Sequence, residues 1–450
     1  RKSGEPYFNH VFATGRNLAR LQMDATTIAA GIMHDVLEDT PVTDEEMRVE
    51  FGDEVVFLVQ GVTKLGTLKY QGIERHAESL RKFFVAMAHD IRVVVIKLAD
   101  RLHNLSTLQY LPPEKQKRIA IEALEIHARL ADRLGMGKLK AQIEDEAFPY
   151  AFPEEYAETK RLVEATLDAS EEHLQKVSAV LSEELEVMGV TVQKLDRRVK
   201  HLYSVWEKLK KNNMDISKIY DIIALRIIVP NVASCYQALG IIHGLYKPLP
   251  GRIKDYIAIP KPNSYKSLHT TVFDGFGGTF EVQIRTNEMH REAQYGVASH
   301  LAYKETNKKV HTQKIKEKVD WTRDLLEMQA QTNEHNEFLT HLKMDFFENR
   351  VFVYTPKGDV IELPEGSSPI DFAFAIHTDV GMHVSSSKVN GKMAPLNTKL
   401  LRGDIVEITT NPKSFPHRKW IDLCKTSLAK KQIKSYLKAH GGPLDRLFVK

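Results

Sequence analysis

The stretch Ile32-Met33-His34-Asp35-Val36-Leu37-Glu38-Asp39 decides the fold of the first domain, because it sets polar, metal-capable side chains in an apolar segment. We predict one continuous helix here, in which successive residues turn by about 100°. His34 and three carboxylates then share one side, and an apolar core face forms the other, made of Ala29, Ile32, Met33, Val36 and Leu37. Carboxylates this close resist ionising together, so the segment predicts a bound divalent cation.

A second apolar stretch, residues 93–108, carries a narrow polar stripe of Lys97, Asp100, Asn104 and Thr107. Two imidazoles and two carboxylates suit manganese or iron, with zinc and magnesium as less suitable ions, and the predicted ligands are His10, His34, Asp35 and Asp100. Glu38 and Asp39 would remain to handle protons on a water molecule. A salt-bridged or capped helix face is the alternative explanation for a lone His–Asp pair.

Length and composition describe a protein of two to four domains without a membrane span. The chain has 450 residues, of which 42% are hydrophobic and 27% charged, and no apolar run approaches about 20 residues. Its net charge of +4 permits anionic ligands without by itself indicating nucleic acid. Cys235 and Cys424 lie far apart, with neither zinc spacing nor a disulfide framework, which favours a reducing cytoplasm. No signal peptide is visible, and because the chain begins at Arg1 we expect the natural start to be missing.

The residue pattern changes twice along the chain. Residues 7–147 are helical in pattern throughout, and residues 154–189 read as charged amphipathic helices that connect domains. An α/β or α+β domain follows, with a predicted helix at 234–245 and strands at 221–230, 255–259, 270–273 and 279–285. Residues 304–343 are a polar helical linker, and residues 347–410 form a small β-rich region before a further helical one.

A second group of polar residues falls in the α/β region. Six positive charges occupy fifteen positions, namely Arg197, Arg198, Lys200, Lys208, Lys210 and Lys211. A solvated helix face is an equally good explanation for such a run of charges. However, Asp221 opens a predicted buried strand, and Glu281, Gln283 and Arg285 share one face of another predicted strand. The loop between the strands holds Lys254, Lys261, Asn263, Tyr265, Lys266 and His269. Cations, strand-borne carboxylates and an aromatic ring predict a metal-dependent nucleotide site, although the chain lacks a P-loop motif.

These residues occur in motifs that resemble the long RelA/SpoT homologues, the bifunctional (p)ppGpp synthetases and hydrolases. The motifs are RKSGEPYFNH (1–10), HDVLEDT (34–40), KLADRLHNLSTL (97–108), RVKHLYSVWEKLK (198–210), RIKDYIAIPKPNSYKSLHT (252–270), EVQIRT (281–286) and YGVASHLAYK (295–304). The resemblance implies a multidomain fold: an all-α HD-type hydrolase domain (1–150), a helical connector (151–189), an α+β nucleotidyltransferase-like synthetase domain (190–335), a linker (336–346), a β-grasp TGS domain (347–411) and the start of a helical region (412–450).

For the first domain, the resemblance implies removal of the 3′-pyrophosphate from ppGpp or pppGpp, which yields GDP or GTP. His10, His34, Asp35 and Asp100 would hold Mn²⁺, and Glu38 and Asp39 would position and activate water. The guanosine nucleotide would be held by Arg1, Lys2, Ser3, Asn104 and Thr107.

For the second domain, the resemblance implies transfer of pyrophosphate from ATP to the 3′-hydroxyl of GDP or GTP. Asp221 would bind Mg²⁺, and Glu281 would assist it and deprotonate the 3′-hydroxyl. Arg198 and Arg226 would flank the adenine, while Lys200, Ser204 and Lys208 would grip the ATP phosphates. Tyr265 would stack on the guanine, surrounded by Lys254, Lys261, Asn263, His269 and Gln283.

The remaining features concern regulation. The basic form of residues 252–255 and the intact HDVLED segment are typical of bifunctional members. His377 matches a family position that contacts the tRNA 3′ end, with a plain surface histidine as the alternative, so ribosome and deacylated tRNA are expected partners. Ser264 stands where the family usually has Gly, Leu301 replaces a common Trp, and Met382-His383 replaces a common His-Arg.

Three alternatives and two further expectations accompany this interpretation. The alternatives are a hydrolase with a degenerate synthetase, a non-catalytic regulator that binds ribosome or tRNA, and a generic HD phosphohydrolase. The later regulatory domains of the family are absent, so we expect the chain to be part of a longer protein. Two opposed activities also call for a conformational switch, expected in residues 154–189.

Overall fold

The computed structural model describes residues 4–66, 89–261, 263–275, 278–301 and 350–440. The described residues up to 301 belong to one compact unit, and those from 350 to 440 belong to a second. The first unit contains a helical part followed by a mixed sheet, and the second contains short strands and helices. The predicted linker at 304–343 lies outside the described residues.

The helical part surrounds one central helix. The helices are α1 (Phe8–Arg20), α2 (Ala25–Met33), α3 (Val36–Asp39), α4 (Asp44–Gly66), α5 (Ile91–Ser106), α6 (Pro113–Glu122), α7 (Ala128–Arg133) and α8 (Gly137–Ala151). No strand occurs in the described residues up to 151. The Asp90 side chain caps α5 by accepting a hydrogen bond from the Arg92 amide. Val94, Val95 and Ile96 are fully buried, so α5 forms the core against which the metal-capable helices pack.

The predicted continuous helix over residues 32–39 is wrong. The helix α2 ends at Met33, and α3 begins at Val36. In an unbroken helix the Asp35 amide would donate to the Gly31 carbonyl. Here the His34 Nδ1 lies 2.8 Å from that carbonyl oxygen, and a new turn starts with Asp39 N–H donating to Asp35 O. The predicted core face, Ala29, Ile32, Met33, Val36 and Leu37, is only half-buried.

A mixed five-stranded sheet follows the long helix α9 (Pro153–Val187). Its elements are β1 (Lys194–Val199), α10 (Leu202–Lys211), β2 (Ile223–Val229), α11 (Val232–Leu245), β3 (Pro248–Asp255), β4 (Leu268–Phe273), β5 (Thr279–Thr286), α12 (Asn287–Tyr295) and α13 (Ala298–Leu301). The strand order is β1-β2-β5-β4-β3, with β2 and β5 parallel and the other neighbours antiparallel. The apolar side of the sheet packs on α9, α10 and α11, which leaves the polar side for a site.

The strand expected over residues 255–259 is wrong, because the strand β3 ends at Asp255. The Asp255 carboxylate accepts hydrogen bonds from the amides of Ile257 and Ala258 at 2.9 and 2.8 Å. This local bonding folds the chain into a turn and competes with strand pairing. The other three predicted strands are confirmed as β2, β4 and β5. The strand β1 was not predicted, because its sequence Lys-Leu-Asp-Arg-Arg-Val is mostly charged.

Two glycines join the helical part to the sheet part inside the first unit. The Val297 amide donates to the Leu134 carbonyl at 3.0 Å. A Cβ on Gly296 would lie 2.2 Å from that same carbonyl oxygen, and a Cβ on Gly137 would lie 2.5 Å from the Ala293 carbonyl oxygen. The turn between α7 and α8 therefore touches the end of α12 backbone to backbone, and side chains at these positions would separate the two.

The second unit is small and partly β. Its elements are β6 (Arg350–Tyr354), β7 (Val360–Pro364), α14 (Pro369–Ile376), α15 (Thr378–Met382), β8 (Val384–Val389), β9 (Lys392–Ala394), β10 (Val406–Thr410), α16 (Lys419–Leu423) and α17 (Ser427–His440). The buried Asp371 carboxylate caps α14 with Ser368 and accepts from the Lys425 and Thr426 amides. That bonding ties the segment between α16 and α17 to α14. Among the described helices none is long and apolar enough to cross a membrane.

We expect the Gly137→Ala substitution to lower the free energy of unfolding by about 1–3 kcal/mol, because the added methyl overpacks against the Ala293 carbonyl. Gly240→Ala is the matched control, since it lies in α11 with open space around its Cβ. That control should gain up to about 1 kcal/mol from helix propensity. Denaturant unfolding measures both, and equal effects of the two substitutions would contradict the close contact.

Candidate functional sites

The first site lies where three helical segments meet. His10 comes from α1, His34 from the break after α2, and Asp100 from the middle of α5. All three are buried, and one ligand atom from each lies within 4.8 Å of the others. The Nε2 atoms of His10 and His34 lie 3.3 and 3.7 Å from Asp100 Oδ1. Asp35 Oδ2 lies 3.6 Å from the former and 3.2 Å from the latter.

His34 has the arrangement expected of a metal-binding histidine. Its Nδ1 is held by the Gly31 carbonyl, as the second nitrogen of a liganding imidazole usually is. Its buried Nε2 makes no hydrogen bond of good geometry with any described residue, although carboxylate oxygens surround it. Burial lowers the pKa of His34, but Asp100 and Asp35 outweigh it and raise the pKa to about 10. A pocket that attracts a proton this strongly also suits a divalent cation.

The two carboxylates are held in their ionised form. Burial raises the pKa of Asp100, but the Lys97 charge and the two imidazoles together bring it well below the usual value. Asp100 Oδ2 lies 3.0 Å from the Lys97 Nζ, and its Oδ1 accepts a 2.6 Å hydrogen bond from Asn104. Asp35 also keeps a lowered pKa, since its close contacts with the His10 and His34 imidazoles outweigh its burial. Asn104, predicted to bind nucleotide, therefore contacts a predicted metal ligand here.

Two residues at this site were missed by sequence reasoning. The Tyr7 hydroxyl donates to Asp35 Oδ2. The His103 Nδ1 lies 2.9 Å from the His10 Nδ1, so one of the two imidazoles donates to the other. Helical spacing was an available signal for His103, because it follows Asp100 by three residues. Tyr7 gave no such signal, since only the tertiary structure brings it to Asp35.

The remaining predicted residues of this site lie at its edge. Glu38 and Asp39 are exposed on α3, and burial together with the charges of Asp35 and Asp39 raises the pKa of Glu38. The Thr107 hydroxyl donates to the carbonyls of His103 and Asn104 and so closes the end of α5. Arg1, Lys2 and Ser3 lie outside the described residues.

The second site lies on the polar side of the five-stranded sheet, around Asp221. The ammonium groups of Lys200 and Lys208 lie 2.7 and 2.5 Å from Asp221 Oδ2. Burial raises the pKa of Asp221, but the two lysine charges outweigh it and hold that pKa well below its usual value. Burial and the charge of Lys208 lower the pKa of Lys200 to about 8. The site therefore concentrates positive charge around one carboxylate.

Arginines line the neighbouring strands. Arg226 on β2 makes a two-pronged ion pair with Asp196 on β1, with N···O distances of 2.8 and 2.7 Å. Arg198 on β1 donates to Gln283 Oε1 at 3.1 Å. Asp196 was not predicted as a site residue, and its alternation with Arg198 along β1 was the missed signal.

The third cluster joins Glu281 to Tyr265. Glu281 Oε1 accepts from Gln283 Nε2 at 2.8 Å and lies 3.1 Å from His269 Nδ1. The His269 Nε2 lies 2.8 Å from the Tyr265 hydroxyl. Burial raises the pKa of Glu281, but the hydrogen bond and charge of His269 reverse this and leave it lowered. Four of the predicted synthetase residues are thus brought together.

The loop before β4 carries the other predicted residues. Lys261 Nζ lies 4.9 Å from the centre of the Tyr265 ring, and Asn263 Nδ2 donates to Asp132 of α7 at 3.2 Å. Ser264 has a left-handed backbone with φ of 60°, which explains why Gly suits this position. Lys254 is exposed on β3 opposite His269, and Ser204 is half-buried in α10.

In the second unit, His377 is exposed and begins α15, where its Nδ1 accepts a 3.2 Å hydrogen bond from the Asp379 amide. This capping contact orients the ring at the surface. It is compatible with the predicted tRNA contact and equally with a plain surface histidine.

Comparison with known protein families places three domains in the predicted order. The HD domain family matches residues 1–137, the region found in RelA and SpoT proteins matches residues 197–308, and the TGS domain family matches residues 351–410. These three matches follow one another along the chain in the order that the motifs predicted. The chain is similar in sequence to RelA and SpoT proteins.

Curated relatives span almost the whole chain. A GTP pyrophosphokinase of Myxococcus xanthus is 45% identical over 442 residues, and a guanosine-3′,5′-bis(diphosphate) 3′-pyrophosphohydrolase of Aquifex aeolicus is 46% identical over 440. The bifunctional (p)ppGpp synthase/hydrolase SpoT of Escherichia coli is 42% identical over 439. These alignments cover 97% of this chain but only 58, 62 and 62% of the relatives, so the chain spans about three fifths of their length.

Among solved structures, the small alarmone synthetase 1 of Bacillus subtilis bound to its product pppGpp is similar to part of the chain. It is 22% identical, with 38% of this chain and 96% of that chain covered and a TM-score of 0.27.

A divalent cation that binds between His10, His34 and Asp100 must displace the proton from His34, whose pKa is about 10. We therefore expect Mn²⁺ binding near pH 7 to release about one proton and to weaken about tenfold for each pH unit lost. Calorimetry in two buffers of different ionisation enthalpy measures this. His34→Gln should lose both binding and release, whereas His377→Gln should keep them. Tight binding without proton release would contradict the assignment.

Proposed function

We propose that the chain both degrades and makes guanosine 3′-pyrophosphates. The first site would hydrolyse the 3′-pyrophosphate of ppGpp or pppGpp to give GDP or GTP. The second would transfer pyrophosphate from ATP to the 3′-hydroxyl of GDP or GTP. The observation that carries the proposal is the convergence, in one compact unit, of a buried His–His–Asp cluster and a lysine-clamped Asp221. The names of the curated relatives include both activities.

In the hydrolase, His10, His34, Asp35 and Asp100 would hold Mn²⁺. When bound, the ion would acidify water and neutralise charge on the phosphoryl oxygens. Glu38, whose pKa is raised, would accept and return protons at the mouth of the site, and Asp39 would orient the water. Lys97 and Asn104 keep Asp100 ionised and aimed into the cluster. Arg1, Lys2, Ser3 and Thr107 remain proposed contacts to the nucleotide.

In the synthetase, Lys200 and Lys208 would exchange one anion for another. Without nucleotide, both ammonium groups lie on Asp221. A triphosphate would attract them away, because its charge exceeds that of one carboxylate. Asp221 would then be free to bind Mg²⁺ together with Glu281, and Ser204 would bind the same phosphates. Arg198 and Arg226 would flank the adenine, and Tyr265 would stack on the guanine among Lys254, Lys261, Asn263, His269 and Gln283.

Two alternatives are disfavoured by the cost of burial. A degenerate synthetase or a purely ribosome- or tRNA-binding regulator has no need of a buried Glu281 or of the cluster at Asp221. Buried charges cost several kcal/mol each unless they are paired, so sites without function tend to lose them. Both remain outcomes of the assays below.

The proposal also includes the domain boundaries and the cellular partners. The proposed domains are residues 1–150, 151–189, 190–335, 336–346, 347–411 and 412–450. The TGS domain would bring the protein to ribosome and deacylated tRNA through His377, and the protein would act in the cytoplasm.

We expect Asp39→Asn to lower Mn²⁺-dependent pyrophosphate release from ppGpp by at least about 100-fold while Mn²⁺ content stays near that of the wild type, because Asp39 would serve the water. Asp100→Asn should lose both. Asp53→Asn, an exposed carboxylate on α4, is the control and should change neither. Pyrophosphate release and bound metal are measured on the same samples. If the wild type releases no pyrophosphate, the hydrolase proposal is wrong.

Replacing Asp221 by Asn should lower formation of AMP and ppGpp from ATP and GDP by at least about 100-fold, because the lysines and Mg²⁺ would lose their shared anion. Hydrolysis of ppGpp by the same variant should continue, which shows that the unit is folded. Nucleotide chromatography measures both reactions. Full synthesis by the Asn variant would contradict the role of Asp221.

A further inference from the structure

The two carboxylate oxygens of Glu281 have different environments. Oε1 receives the hydrogen bond of Gln283 Nε2 at 2.8 Å and lies 3.1 Å from His269 Nδ1. Glu281, His269 and Gln283 are 7, 9 and 3% exposed. Because both of these donors among the described residues lie on Oε1, the rotation of the carboxylate is set, and Oε2 remains to accept a proton.

The second ring nitrogen of His269 contacts Tyr265 in the loop before β4. Its Nε2 lies 2.8 Å from the Tyr265 hydroxyl. A carboxylate only accepts hydrogen bonds, so His269 Nδ1 carries a proton and donates to Glu281 Oε1. His269 therefore joins the Tyr265 hydroxyl to Glu281 through its two ring nitrogens, in one hydrogen-bonded chain of three residues.

The residues of this hydrogen-bonded chain are held by the pairing of two sheet strands. His269 and Gln283 are direct partners in the pairing of β4 with β5, and Glu281 stands two residues along β5. Lys261 Nζ and the Arg285 guanidinium lie 4.9 and 6.0 Å from the centre of the Tyr265 ring. These two cations thus lie near the Tyr265 ring and help to position it. Stacking on a base requires only the face of that ring. The hydroxyl has no part in stacking, so its bond to His269 needs another explanation.

We propose that the Tyr265 hydroxyl and His269 are positioning residues for Glu281, which makes the alignment of the base depend on the seating of the guanine-stacking ring. The inference rests on the proposed synthetase function. In the step it serves, the 3′-O–H bond breaks and its proton goes to Glu281 Oε2. The freed oxygen bonds to the β-phosphorus of ATP, and the bond from that phosphorus to the α–β bridging oxygen breaks, so AMP leaves with the electron pair.

The test is the Tyr265→Phe variant, which keeps the stacking ring and removes only the hydroxyl. We expect kcat for ppGpp synthesis to fall about tenfold while KM for GDP and for ATP stays within about twofold. His269→Gln should give a similar loss of kcat. The double variant should be no worse than the poorer single one, because both break the same chain. Tyr246→Phe, in the same unit and outside this chain, is the matched control and should keep wild-type constants.

Each contrary result has a distinct meaning. A Tyr265→Phe enzyme with wild-type kcat overturns the inference, and so does a change confined to KM, which would place the hydroxyl on substrate. Independent, multiplying losses in the double variant also overturn it. Failure of the wild type to form AMP from ATP and GDP refutes the synthetase proposal itself. Hydrolysis of ppGpp by every variant verifies the fold and separates these outcomes.

Discussion

The buried carboxylate of Asp100 is the constraint around which the first part of the molecule is arranged. A charged oxygen pair in the middle of the apolar helix α5 costs several kcal/mol unless partners compensate it. Lys97 and Asn104 compensate from the same helix, and His10 and His34 do so from α1 and α2. The requirement for those partners holds α1 and α2 against α5. It also explains why α2 stops at Met33, since His34 must turn inward.

The sheet part solves the same problem with lysines. Asp221 lies two residues before the buried strand β2 and is compensated by Lys200, which precedes α10, and by Lys208 within α10. The two clusters attract ligands of opposite charge. The first gathers anions and imidazoles that suit a cation, while the second gathers cations that suit polyphosphate. This difference is the physical basis for proposing a metal-centred reaction at one site and a nucleotide-transfer reaction at the other.

The helical part and the sheet part of the first unit are in direct backbone contact, in addition to being joined by the helix α9. The turn from α7 to α8 touches the end of α12 through Gly137 and Gly296, and Asp132 of α7 accepts a hydrogen bond from Asn263 in the loop before β4. Asp145 of α8 also accepts a hydrogen bond from the Tyr203 amide at the start of α10. The connector at residues 154–189, where we expected a switch, is one continuous helix.

Local chemistry in the sequence determined much of this protein. The apolar periodicity predicted α5 and three of the five sheet strands, and the polar pattern grouped His10, His34 and Asp100, which lie together in the structure. Tertiary structure alone decided the break at His34, because a side chain took the carbonyl that the backbone would have used. The turn after Asp255 has a local cause, because the Asp255 carboxylate accepts hydrogen bonds from the Ile257 and Ala258 amides and so competes with strand pairing. Tertiary structure also placed Tyr7, His103 and Asp196, whose roles come from contacts between residues distant in the chain, which periodicity along the chain does not encode.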